Sequence, residues 1–117
     1  MGLVIEPLSP HHDRKAFACG KPELDRWFHQ RAGRDAHNGT RVFVAVDDSF
    51  GVVGVYRLGF ITLALESLPQ TQAHLLPRRD SAPAALIGSL ARDLRVHGRG
   101  IGVRLLADAI HRVLVAA

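Results

Sequence analysis

The stretch from Thr40 to Leu65 constrains the fold more than any other part of the sequence. It reads TRVFVAVDDSFGVVGVYRLGFITLAL, with two runs of β-branched and aromatic residues on either side of the polar segment DDSFG. Valines stand at every second position of the first run, at Val42, Val44 and Val46. This alternation, with a short glycine-containing separator, is typical of two antiparallel strands joined by a turn. The sequence therefore predicts a β-hairpin.

The segment before the hairpin is predicted to contain a strand and a helix. The strand is expected from Leu3 to Pro10, where the proline helps to end it. The helix is expected to begin with Pro22 in its first turn and to be broken by HNGT, residues 37–40. Its apolar residues repeat at three and four positions, which predicts one buried face. That face contains Leu24, Trp27, Phe28 and Ala32.

After the hairpin, one more strand and one more helix are predicted on either side of a glycine-rich loop. The segment Glu66–Pro83 has three prolines and little periodicity, so a loop or a short broken helix is predicted there. A strand is expected over AALIGSLARDL, Ala84–Leu94. From Gly100 onward the apolar pattern predicts an amphipathic helix, whose buried stripe is Leu105, Leu106, Ala109, Ile110, Val113 and Leu114. The order of these elements predicts an α/β (α+β) fold.

Length, charge and cysteine content narrow the class of protein. With 117 residues, 47% of them hydrophobic, the chain is expected to form one domain. A net charge of +4, carried mostly by arginine, favours phosphate-bearing partners, although a simply solvated basic surface explains it equally well. A single cysteine excludes an internal disulfide. Because the sequence has no secretory signal and no run of roughly 20 apolar residues, a soluble cytoplasmic protein without a membrane partner is expected.

The sequence RVHGRGIGVRLL, residues 95–106, has glycine at three alternate positions, between the predicted strand Ala84–Leu94 and the last helix. The N–H groups at the start of a helix lack intrahelical partners, so an anion, and phosphate above all, is the expected occupant of such a loop. A P-loop is excluded, because Val103 and Arg104 follow Gly102 where Lys and Ser or Thr would be needed. A dinucleotide fingerprint is also excluded, because Val103 or Leu105 stands where its third glycine would be.

Strand, loop and helix together resemble motif A of the GNAT superfamily of N-acetyltransferases. That motif has Gln or Arg, two residues, Gly, one residue, and then Gly or Ala. Here the six positions run from His97 to Gly102, so both glycine positions match and His97 departs from the pattern. The segment FACGKPELDRWF, residues 17–28, resembles the N-terminal signature of the branch that contains type II toxin–antitoxin toxins acetylating tRNA. The resemblance covers nearly all of the chain and implies the N-terminal part of a GNAT-like mixed sheet.

The resemblance implies a ligand and a set of binding residues. In this family the loop holds the pyrophosphate of acetyl-CoA, and the preceding strand pairs with the pantetheine through backbone groups. Arg92 departs from the apolar residue that is usual at its position, and whether it tunes the site or reflects drift stays open. The residues expected to bind acetyl-CoA are Leu90, Ala91, Arg92, His97, Gly98, Arg99, Gly100, Ile101 and Gly102.

The same resemblance implies an activity and further partners. The expected reaction transfers an acetyl group from acetyl-CoA to the α-amino group of an aminoacyl-tRNA, and a small antitoxin protein is a further expected partner. GNAT domains continue with another strand and helix, and they often carry there a tyrosine that protonates the leaving thiolate. Residues 1–117 are therefore expected to be a single partial domain. The alternative is a catalytically incomplete remnant that only binds CoA or an antitoxin. No catalytic residue is assigned.

The strand Ala84–Leu94 is expected to have an unpaired edge, on which only Arg92 and Asp93 are charged residues that would oppose pairing with another chain. An unpaired edge of this kind is a template for pairing with another chain. The sequence therefore predicts a homo-oligomer, or association with a partner that supplies a strand.

Several other residues have a structural and a functional interpretation. Tyr56 is expected to be a packed or edge tyrosine rather than an acid. The seven histidines show no ligand-like pair with a carboxylate motif, so no metal site is predicted. Cys19 is expected to be a small buried hydrophobic residue. Arg78 and Arg79 could contact tRNA phosphates or form an ordinary solvated pair.

Overall fold

The computed structural model describes residues 2–64 and 81–116, and within them an antiparallel sheet is flanked by helices. The strands are β1 (Leu3–Pro7), β2 (Arg41–Asp47), β3 (Gly51–Ala64) and β4 (Ser81–Arg92), and the helices are α1 (Pro22–Gln30), α2 (Ala32–His37) and α3 (Ile101–Ala116). A short 3-10 helix, Leu94–Val96, precedes α3. The strand order is β1-β2-β3-β4. Within these residues no helix combines the length and the apolar character needed to cross a bilayer.

The predicted hairpin is confirmed as β2 and β3, but three predicted boundaries are wrong. β1 ends at Pro7 rather than Pro10, although the N–H of Leu8 still donates to the carbonyl of Val42 at 2.8 Å. The single predicted helix is two helices, because the backbone of Arg31 leaves the helical region between them. β4 begins at Ser81 and ends at Arg92, so the loop predicted to Pro83 and the strand predicted to Leu94 both extend too far along the chain. The rest of that loop, with Arg78 and Arg79, lies outside the described residues.

The sheet is covered on both faces, so β2 is apolar at nearly every position. One core lies under α3 and contains Phe43, Ala45, Val53, Tyr56, Leu58, Val96, Ile101, Leu105 and Ala109. The other lies under α1 and α2 and contains Phe17, Phe28, Ala32, Val42, Val44, Val52, Val55 and Ala91. Because successive residues of a strand point to opposite faces, neighbours such as Val42 and Phe43 belong to different cores. The predicted buried face of α1 is confirmed at Phe28.

Gly54 lets α3 pack directly against the middle of the sheet. A Cβ atom at this position would lie 2.9 Å from Leu105 Cδ1, 3.2 Å from Ala45 Cβ and 3.3 Å from Ile101 Cγ2. Glycine within a strand often marks such a close approach. The start of α3, next to the glycine-rich loop, is therefore fixed by this contact.

A polar network holds the middle of α3 to the sheet. The hydroxyl of Tyr56 donates to Asp108 Oδ2 at 2.6 Å, and Arg112 Nε donates to the same oxygen at 2.7 Å. Arg112 also donates to the carbonyl of Ile5 and lies over the ring of Phe43 at 4.2 Å. Burial and the bond to Asp108 raise the pKa of Tyr56 far above its usual range. The prediction that Tyr56 is a packed residue is thus confirmed.

Candidate functional site

The candidate site lies where β4, an outer strand of the described sheet, runs into the loop before α3. Near its end β4 contains a bulge, because Gly88 pairs with Arg57 and Ala91 pairs with Val55. Two residues, Ser89 and Leu90, thus stand opposite one residue of β3, and Ser89 has a left-handed backbone with φ of 50°. A bulge leaves an extra residue out of the ladder and turns its backbone groups in a new direction. β4 therefore presents irregular backbone groups just before the loop.

Asp93 fixes the start of the loop to the N-terminal segment. Its carboxylate accepts hydrogen bonds from the N–H of Ala18 at 3.1 Å and from the N–H, Nε and guanidinium NH2 of Arg95 at 2.8 to 2.9 Å. Burial alone would raise the pKa of Asp93, but these hydrogen bonds outweigh it and hold the pKa below its usual value. Asp93 is 1% exposed, so the prediction that it is a charged residue on the open sheet edge is wrong.

The glycines of the loop leave space that no atom of residues 2–64 or 81–116 fills. Gly98 and Gly100 have left-handed backbones, with φ of 80° and 73°. A Cβ atom at Gly98, Gly100 or Gly102 would meet nothing within 4 Å. Gly102, the second residue of α3, has no such backbone requirement. Among the described residues, neither conformation nor packing explains the glycine at position 102.

The two residues that depart from the GNAT motif are in contact with each other. A guanidinium NH2 group of Arg92, at the end of β4, donates to Nδ1 of His97 at 2.6 Å. Because Nδ1 accepts this bond, the ring N–H of His97 is on Nε2. Sequence reasoning treated the two departures separately, and nothing in the spacing indicated that they form a pair.

The structure places the remaining predicted residues in two groups. The side chains of Ala91 and Ile101 are buried in the cores, and that of Leu90 is partly buried against one of them. The side chain of Arg99 is exposed in the loop. The predicted site is thus contiguous, with backbone groups from β4 and the loop and with side chains from Arg92, His97 and Arg99.

A cavity of about 160 Å³ beside the end of β4 adds residues that sequence reasoning missed. It is lined by Cys19, Lys21, Leu24, Leu90, Ala91 and Arg92. Cys19 packs against the core under α1 and α2 but is only partly buried, so the predicted small buried hydrophobic residue is confirmed only in part. Burial raises the pKa of its thiol, which leaves it protonated and a poor nucleophile at neutral pH. The cavity connects the N-terminal signature with β4.

A second cluster, Glu6, His11 and His12, brings three possible metal ligands together. Their ligand atoms lie within 4.8 Å of one another. The spacing of the histidines in the sequence did not indicate this grouping. However, the N–H of Ser9 donates to Nδ1 of His12 at 2.9 Å, and Nε2 of His12 faces the carboxylate of Glu6 at 2.5 Å. The proton of His12 is therefore on Nε2, and the lone pair that a metal would need is not available. This arrangement fits a histidine–carboxylate hydrogen bond.

Two of the known proteins with similar sequences are toxins. A probable toxin TacT of Sinorhizobium fredii is 36% identical over 113 residues, covering 94% of this chain and 62% of that protein. A tRNA-acetylating toxin of Mycobacterium tuberculosis is 36% identical over 111 residues, covering 94% of this chain and 65% of that protein. The chain thus spans less than two thirds of the length of both relatives. No protein-family model matches the chain.

Solved structures of similar fold are also toxins of this kind. AtaT in complex with acetyl-methionyl-tRNAfMet superposes with a TM-score of 0.85 at 26% identity, over 98% of this chain and 71% of that one. AtaTR bound with acetyl-CoA superposes with a TM-score of 0.81 at 26% identity, over 97% of this chain and 69% of that one. The described sheet and helices therefore have the arrangement found in the corresponding part of these proteins.

Proposed function

Since the chain belongs to the GNAT superfamily, in the branch of the tRNA-acetylating toxins, and spans only part of its relatives, we propose that it carries the acetyl-CoA site of such an enzyme. The site would serve the transfer of an acetyl group to the α-amino group of an aminoacyl-tRNA. The relatives' names support both the donor and the acceptor, and the geometry of the loop supports the donor in particular.

One observation carries this proposal: the open glycine loop at the N-terminus of α3. Backbone N–H groups from about Gly98 to Gly102 would hold the pyrophosphate, helped by the positive end of the 16-residue helix. The missing Cβ atoms at these glycines leave room for the phosphates to approach the backbone. Two left-handed residues in the loop favour a concave arrangement of N–H groups.

The end of β4 would hold the pantetheine arm of acetyl-CoA. Backbone groups of Leu90, Ala91 and Arg92 follow the bulge at Ser89 and lie on an outer strand of the described sheet. An unpaired strand edge offers N–H and C=O groups to an extended ligand, and pantetheine has two amides that can pair with it. This arrangement would direct the thioester away from the loop and toward the bulge.

The chemical step needs a free amine placed beside the thioester. Its nitrogen attacks the acetyl carbon, the C–N bond forms, the C–S bond breaks, and one proton of the nitrogen is transferred, through solvent, to the sulfur, so that CoA leaves as the free thiol. Holding the two reactants together supplies much of the rate enhancement in such a reaction. We assign no described residue as the acid that protonates the CoA sulfur, since Tyr56 is committed to Asp108 in the core.

Basic side chains near the N-terminal segment would support an RNA acceptor. Two open cavities, of about 540 and 510 Å³, share Arg14 in their walls. Lys15 lines the first of them, and Arg34 and His37 line the second. Phosphate contacts of this kind provide affinity that does not depend on sequence and falls with salt. Binding of aminoacyl-tRNA, in the cytoplasm, is therefore part of the proposal.

Calorimetric titration with acetyl-CoA tests the loop. We choose Gly102→Leu, because Gly102 has open space beside it and no left-handed backbone, whereas valine at Gly100 would strain the loop itself at φ of 73°. Affinity for acetyl-CoA should fall at least about 100-fold, since the new side chain would occupy the place of the pyrophosphate. The control is Val103→Leu at the next, 74% exposed position, which should bind like the parent. Equal affinity in both variants would show that the loop does not hold the ligand.

Transfer of labelled acetyl groups to aminoacyl-tRNA tests the acceptor. The assay should be run with the chain and with deacylated tRNA as the control, because only an aminoacyl group offers the α-amine. Binding of acetyl-CoA without transfer would favour the alternative, a module that binds CoA or an antitoxin protein. The predicted self-association of the chain also stays a prediction.

A further inference from the structure

The turn between β2 and β3 brings an aromatic side chain, Phe50, against the candidate loop. The carboxylate of Asp47 accepts hydrogen bonds from the N–H groups of Ser49 at 2.8 Å and Phe50 at 3.0 Å. These bonds lower the pKa of Asp47, and they fix the backbone of the turn. Phe50 is 37% exposed although it is large and apolar, so part of its ring lies on the surface. Packing into the cores does not explain its position.

Two arginines of the loop lie against this ring. The guanidinium carbon of Arg95 is 5.3 Å from the ring centroid of Phe50, and that of Arg99 is 5.5 Å away. Contacts at these distances are favourable cation–π interactions. The sequence did not indicate that Phe50 contacts Arg99, because the two residues are separated by nearly half of the chain.

The two arginines differ in what neutralises their charge. Arg95 pairs with Asp93 through two of its guanidinium nitrogens, so its charge serves the fold. In the described part of the chain, no carboxylate lies within ion-pair distance of Arg99. Asp47 interacts with Arg99 electrostatically, but it forms no ion pair with it, and its Oδ2 atom accepts the two N–H bonds of the turn. Phe50 therefore holds Arg99 in place while the charge of Arg99 remains available to an anion.

We propose, resting on the proposed function, that Arg99 binds the 3′-phosphate of CoA and that Phe50 is its positioning residue. CoA carries two separate anionic groups, the pyrophosphate and the 3′-phosphate on its ribose. The backbone N–H groups of the loop serve the first of these. The side chain of Arg99 leaves the loop toward the β2–β3 turn, and so supplies the charge for the second. Guanidinium groups suit phosphate because they donate two parallel hydrogen bonds.

This proposal predicts a preference for CoA over 3′-dephospho-CoA, which has the pyrophosphate but lacks the 3′-phosphate. Calorimetry with the unaltered chain should give about tenfold tighter binding of CoA, the size of one charge-assisted hydrogen-bonding contact. Arg99→Gln should remove this preference by weakening CoA about tenfold and leaving 3′-dephospho-CoA unchanged. Phe50→Leu should weaken CoA about threefold and Phe50→Tyr should retain the preference, because tyrosine keeps the aromatic face.

The matched control is Arg41→Gln. Arg41 is also an exposed arginine over a phenylalanine, 5.3 Å from the ring of Phe43, but it lies at the start of β2, away from the loop. It should bind both ligands as the unaltered chain does. Equal loss of both ligands in Arg99→Gln would assign Arg99 to the pyrophosphate and overturn the proposal. Equal affinities of the unaltered chain for both ligands would overturn it while leaving CoA binding intact. No binding of either ligand would overturn the proposed function as well.

Discussion

The two parts of α3 meet opposite requirements. In the middle of the helix, Tyr56, Asp108 and Arg112 satisfy one another, and within the described residues no buried side-chain nitrogen or oxygen is left without a partner. At its N-terminal end, by contrast, Gly98 and Gly100 adopt left-handed backbones beside empty space. The hydrogen-bonded network in the middle of the helix stabilises the fold. The space beside the left-handed glycines of the loop is open, so among the described residues it adds no packing contact to the fold. This difference is the basis for the proposal that a ligand binds at the N-terminal end.

This contrast makes separable predictions, because a change in the middle of α3 should alter stability and a change in the loop should alter ligand affinity. The close approach at Gly54 and the hydrogen bonds of Asp93 belong to both classes, because each fixes a residue next to the loop. Measuring the free energy of unfolding and the affinity for acetyl-CoA on each variant tests whether the two parts are in fact independent.

The largest effect is expected from Gly54→Val, which should lower the free energy of unfolding by about 3 kcal/mol. The new side chain would overlap Leu105 and Ile101 and force α3 away from the sheet. Urea denaturation measures the loss. The matched control is Gly59→Val in the same strand, where a Cβ atom meets nothing within 4 Å, and a change within about 0.5 kcal/mol is expected. Similar losses in both variants would show that strand conformation, and not the helix contact, requires glycine at position 54.

Tyr56→Phe should lower the free energy of unfolding by about 1 to 3 kcal/mol, because Asp108 would lose a buried donor. Acetyl-CoA affinity should not change if the two parts of α3 are independent. A parallel loss of affinity would show that the network also sets the position of the loop.

The same tyrosine predicts a pH dependence. Its pKa is raised in the folded protein, so its contribution to stability is fully present below the ordinary tyrosine pKa of about 10 and is lost as the pH rises above that value. Urea midpoints between neutral and strongly alkaline pH should therefore fall more steeply for the unaltered chain than for Tyr56→Phe. Parallel curves would mean that the hydroxyl ionises equally in both states.

Asp93→Asn should act on both properties. Loss of the charge that holds Arg95 should cost about 1.5 kcal/mol, and the loosened start of the loop should weaken acetyl-CoA as well. Because the pKa of Asp93 is lowered, its contribution is present above the ordinary aspartate pKa of about 4 and is lost as the pH falls below it. Denaturation and calorimetry on the same samples check this prediction, and an unchanged affinity would confine Asp93 to the fold.

Sequence patterns predicted most elements of this fold, because hydrophobic periodicity reports on buried faces, but the predicted buried stripe of α3 is wrong at Leu106, Ile110 and Leu114, which are exposed. The valines of β2 and the apolar face of α1 are examples of such buried faces, and the glycine loop was placed correctly between β4 and α3. Family resemblance supplied the ligand. Contacts between distant residues could not be predicted, because nothing local encodes them. Asp93 looked like an exposed charge in a strand, yet it is buried against Ala18 and Arg95.

The smallest effects are expected at Arg92 and His97, which sequence reasoning singled out without seeing their contact. Both lie at the surface, so Arg92→Gln and His97→Gln should each change the free energy of unfolding by less than about 0.5 kcal/mol. Each should weaken acetyl-CoA only about two- to threefold, because the bond between them fixes the first residue of the loop without supplying its N–H groups. The informative measurement is the double variant: if the pair acts as one unit, its loss of affinity should equal that of either single variant. Losses that multiply would show that the two residues contact the ligand separately, and the loop would then owe its conformation to Asp93 and the glycines alone.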